Sequence, residues 1–102
     1  MVYIKMATPI RDFDKIRIKE FHIFEPTGNE GTSFGLKYSV YKDNGDGVSE
    51  CYEKFISITD KDFISTAKNY KSPNLSNYDS ICKLLFQYLI DKGIELGTIE
   101  VK

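Results

Sequence analysis

The sequence predicts an α+β domain: an antiparallel meander of three to five strands, followed by two helices packed on one sheet face. Three observations carry this. Ser33 to Tyr41 alternates strictly between apolar and small or polar residues, the period of a strand with one face on a core. Asp43-Asn44-Gly45-Asp46-Gly47 supplies hairpin residues directly after it. At Thr59 the apolar period lengthens from two residues to that of a helix.

Taken in order, Val2, Ile4 and Met6 alternate with Tyr3 and Lys5, giving a short first strand that Ala7-Thr8-Pro9 interrupts. From Lys15, Ile16 and Ile18 share a phase, whereas Phe21 and Ile23 fall in the other. A period of two changes phase only with an extra residue, so a bulge near Lys19-Glu20 or a strand buried on both faces is expected. Pro26 to Gly31 has loop composition. In the next strand Phe34, Leu36, Tyr38 and Val40 form the core face, leaving Ser33, Gly35, Lys37, Ser39 and Tyr41 largely to water. Val48 to Ile58 reads as the third clear strand, with Tyr52, Ile56 and Ile58 in one phase and Cys51 and Phe55 in the other.

Thr59-Asp60-Lys61-Asp62 combines a cap residue with first-turn acids, which the free N–H groups and helix dipole favour. Phe63, Ile64, Ala67 and Tyr70 then make one helical stripe, ended before Pro73. Ser76 opens a second helix with Asp79 at the capping-box position, and the helix runs to about Lys92 before Gly93. The tail from Ile94 to Val101 is expected to add a short strand.

The second helix carries more apolar surface than one stripe needs. Tyr78, Ile81, Cys82, Leu84, Leu85, Tyr88 and Leu89 fill one broad face, with Phe86 and Ile90 at the edge of the polar side. Either the sheet and the first helix take both flanks, or Phe86 and Ile90 form an exposed patch for a protein partner or a second copy of the chain.

A length of 102 residues suits a single small domain spanning 1–102, and 41% hydrophobic residues with seven Phe and seven Tyr can fill its core. The net charge of −1 and the presence of only two arginines, Arg11 and Arg17, weaken a phosphate-binding reading. No run is apolar enough to span a bilayer, and the opening residues lack a signal-peptide core, so no membrane and a cytoplasmic setting are expected. Cys51 and Cys82 are expected as buried, reduced thiols.

No catalytic or metal-binding constellation is legible. One histidine, His22, and two distant cysteines give no metal-ligand spacing, and Asp43, Asn44 and Asp46 read as turn chemistry rather than a calcium loop. Gly28 to Gly35 lacks the fingerprint of a phosphate loop. Asp12/Asp14 and Asp60/Asp62 fit a solvated segment and a cap. The expectation is a non-enzyme without cofactor: a protein-binding module, of the kind a small phage or bacterial inhibitor or accessory factor uses to occlude a larger protein. Its expected contact residues are Phe86 and Ile90. The alternative is single-stranded nucleic-acid binding across the open sheet face, using Arg17, Lys19, Lys37, Tyr41, Tyr52 and Lys54 as a cationic, aromatic platform.

Overall fold

The computed structural model describes residues 1–24 and 32–102. They form strands β1 (Val2–Ile10), β2 (Phe13–Phe24), β3 (Ser33–Asp43) and β4 (Val48–Ile58). Helices α1 (Lys61–Lys68) and α2 (Asn77–Asp91) follow, and then strand β5 (Gly97–Val101). The sheet is antiparallel, with order β4-β3-β2-β1-β5. The α+β class, the meander and the following helices are therefore as the periodicity dictates. The loop expected at Pro26 to Gly31 lies outside the described residues.

β1 is longer than its alternation suggests. Its pairing with β2 is irregular between Lys5 and Ile10, and that irregularity accommodates Pro9 inside the strand. A two-residue turn at Arg11-Asp12 then reverses the chain, with Arg11 at φ 57° and Asp12 bonded to Lys42 Nζ at 2.9 Å. The expected phase change in β2 is a register shift between Ile18 and Glu20; Ile16 and Ile18 before it, and Phe21 after it, all lie on the core face. A second shift, unforeseen, falls in β4: Val40 pairs with Tyr52 but Tyr41 with Glu50, which leaves Cys51 as the extra residue.

The core lies between the sheet and the helices. Ile4, Ile16, Leu36, Tyr38 and Val40 meet Leu85, Phe86 and Leu89 there, all at 0% exposure. Phe63 of α1 joins the layers, edge-on to Phe34 of β3 and to Tyr88 of α2 at centroid distances of 5.7 and 4.8 Å. Asp60, rather than Thr59, caps α1 by accepting from the N–H groups of Asp62 and Phe63. Ser76 caps α2 by accepting from Asp79 N–H, and Gly93 follows its end at φ 69°. Ser80, on the polar side of α2, is buried because its hydroxyl accepts from Ser72 N–H at 3.1 Å, tying the inter-helix segment to the helix. After α2 the chain crosses to β1. There Gly97 pairs with Met6, and Lys102 N–H reaches Met1 C=O at 2.8 Å.

Candidate functional site

Phe86 does not form an exposed patch. It is 0% exposed and part of the core, and Ile90 is half-buried against that core. The reason is helical geometry: Phe86 lies four residues after Cys82 and three before Leu89, both of which point to the sheet. Leu84, Tyr88 and Ile81 occupy the flank away from Phe86 and are half-buried. The apolar excess at Phe86 and Ile90 is thus taken up within the domain, while Tyr78 at the start of α2 stays 51% exposed.

The proposed nucleic-acid platform is divided between two faces. Paired residues in a sheet share a face, so Tyr52 and Lys54, opposite Val40 and Tyr38, lie on the helix side. Lys54 there lies over the Tyr52 ring at 5.3 Å and 3.4 Å from Glu95, which also accepts from the buried Tyr38 hydroxyl at 2.9 Å. Burial and that carboxylate push the Tyr38 phenol far above its ordinary pKa. Arg17, Lys19, Lys37 and Tyr41 belong to the opposite, helix-free face, and acids neutralise the three cations. The bulge at Cys51 turns Glu50 onto this face. There it meets Arg17 at 2.6 Å and Lys19 at 3.0 Å, while Lys19 also bonds Glu53, and Lys37 lies 3.5 Å from Glu20. Hydrogen bonds from Arg17 and then Lys19 hold the Glu50 carboxyl below its ordinary pKa. The three cations are each paired with an acid, which leaves no field open to phosphates, although Arg17 Nε and the Ser39 and Tyr41 hydroxyls beneath them are buried without a hydrogen-bond partner among the described residues.

These long side chains also correct the expectation that the open face is largely wet. Ser39 is 0% and Tyr41 2% exposed, with the Arg17 guanidinium 5.2 Å from the Tyr41 ring centroid. Desolvation raises the Tyr41 phenol. Cys51 is a further correction. It is exposed, because it sits at the bulge of an edge strand and outside the core-facing phase of Tyr52, Ile56 and Ile58. Cys82 is buried as expected, and desolvation pushes its thiol up to about 11. Both cysteines are free thiols.

A groove of about 530 Å³ runs along α1, lined by Thr32, Thr59, Lys61, Ile64, Ser65 and Lys68. These residues contain no carboxylate, imidazole or thiol to pair for acid–base or nucleophilic work. His22 is exposed on the open face, 3.7 Å from Glu20. Among the described residues, no three His, Cys, Asp or Glu side chains gather to hold a metal, and no helix is long and apolar enough to cross a membrane.

Among the described residues, what does stand open is the β4 side of the sheet. β4 is an edge strand of eleven residues, and from Tyr52 to Ile58 its ladder with β3 is regular. Its outward N–H and C=O groups form a template for another strand. On the open face Phe55 is 58% exposed, with one edge of its ring resting over Gly35, where a Cβ would come within 3.0 Å of the ring. Further along the same face Phe24 is 62% exposed. Tyr52 and Ile56 are half-buried on the helix side. The exposed aromatics were visible in the sequence, but nothing in it distinguished β4 as an edge.

In comparisons with known proteins, no family model, no curated protein and no solved structure matches this chain.

Proposed function

We propose that the chain is a non-enzymatic protein-binding module that takes an extended segment of its partner along the outer edge of β4. One observation supports the reading above others. A long, regular edge strand, Tyr52–Ile58, carries an exposed aromatic at its midpoint and adjoins a face whose charges are already paired. In strand addition the main chain supplies affinity through ladder hydrogen bonds, and alternate side chains supply specificity. Phe55 is the anchor, since an exposed aromatic beside a partly desolvated surface is the kind of residue that carries binding energy. Lys54 and Glu53 discourage indiscriminate edge pairing by placing charges along the strand.

The test compares proteins captured from nuclease-treated extracts of the source cells by wild type and by Phe55→Asp. A partner retained by wild type, lost with Phe55→Asp and kept by a change on the opposite sheet edge, Glu100→Gln, supports the reading. Identical captured sets with wild type and Phe55→Asp overturn it. Equal thermal midpoints for the three proteins establish that folding is unaffected.

A further inference from the structure

We infer that the segment added at the β4 edge belongs to a second copy of this chain, paired antiparallel about a two-fold axis that places Phe55 opposite Phe55. The inference rests on the strand-addition reading and specifies its partner. It follows from where regular ladder and charge lie along β4.

A two-fold axis normal to the sheet keeps each face on its own side, so the strand pairs with itself about one central residue. The regular run between the Cys51 bulge and the end of β4 is Tyr52–Ile58, and its midpoint is Phe55. Centring there uses every residue of the run: Tyr52 faces Ile58, Glu53 faces Ser57, and Lys54 faces Ile56. No like charges are opposed. On the helix side, the aliphatic stem of Lys54 covers the half-buried Ile56 of the other copy. On the open side, the exposed flanks of the two Phe55 rings meet as a cross-strand aromatic pair. The neighbouring registers are worse. Centring on Lys54 sets lysine against lysine, and centring on Glu53 sets glutamate against glutamate. Centring on Ile56 shortens the regular overlap and takes Tyr52 and Glu53 out of it. The favoured register supplies roughly six to eight interchain backbone hydrogen bonds and joins two sheets of five strands into one.

Sedimentation equilibrium across a wide range of concentration tests this with the full chain. The mass of wild type is expected to rise from one chain towards two. Phe55→Lys and Phe55→Glu, each opposing like charges at the two-fold axis, are expected to stay at one chain. An equimolar mixture of the two variants is expected to regain the dimer, because lysine then faces glutamate. Position 55 is exposed, and unchanged circular dichroism confirms that both variants fold. Wild type at one chain throughout overturns the inference, as does a wild-type dimer that persists in Phe55→Lys, or variants that fail to restore the dimer on mixing. Loss of self-pairing with a different protein still captured in a Phe55-dependent way marks failure of this inference alone. Failure of the capture comparison as well marks failure of strand addition itself.

Discussion

Gly97 leaves no room for a methyl group: a Cβ there would lie 2.2 Å from Lys5 C=O and 2.6 Å from Ile4 Cγ2. Gly97→Ala is therefore expected to push β5 off β1 and cost about 1–3 kcal/mol, read as a lower urea midpoint. Phe86 tests the helix geometry at the same scale. Phe86→Ala is expected to cost about 3–5 kcal/mol, because it empties a fully buried site, whereas Ile90→Ala at a half-buried one costs less. Equal, small effects of the two would return Phe86 to the surface. The two thiols should separate as sharply in native protein. Exposed Cys51 is expected to react promptly with a thiol reagent, whereas Cys82, buried and shifted up to about 11, reacts only as the chain opens. Mass mapping of the labelled peptide decides this.

The elements account for the pH response. Glu50 reaches the open face only through the β4 bulge, and there Arg17 and Lys19 lower its pKa. A folded pKa below the unfolded one gives stability that is present above the ordinary glutamate range and lost as pH falls through the folded value. Acid titration of unfolding should show that loss, with a shallower slope in Glu50→Gln; an unaltered slope would remove Glu50 as its source. The same bulge explains what could and could not be read beforehand. The core face of β3 and the α2 cap follow from local periodicity and side-chain chemistry, so Phe34 to Val40, Ser76 and the Lys19-Glu20 irregularity were legible, whereas the α1 cap fell one residue later than expected, at Asp60. The extra residue at Cys51 left no comparable mark, since Glu50 shares the phase of Tyr52 and Lys54 in the bare sequence yet faces the open side in the sheet. Tyr52 and Lys54, by contrast, share the phase of Ile56 and Ile58, so their grouping with Arg17 and Lys37 runs against a mark already present in the sequence, and the sheet separates the two sets. The Arg11 turn was missed for lack of a glycine or asparagine signal. Phe86 differed in kind: its spacing from Cys82 and Leu89 was present and pointed inward.

At the scale of the whole molecule, two helices cover one sheet face, ion pairs close much of the other, and the two edges differ in character. β5 is five residues long, while β4 is eleven. Which strand is an edge is a matter of long-range pairing, because β5 joins β1 from almost the opposite end of the chain. The candidate surface could therefore emerge only from the assembled sheet. Its openness is the physical claim on which strand addition and self-pairing both stand. Residue-resolved amide exchange in dilute protein measures it directly. Alternate amides between Tyr52 and Ile58, those not bonded to β3, should exchange fast while their neighbours and the β3 amides are protected. Uniform protection along Tyr52–Ile58, equal to that of β3, would contradict the account.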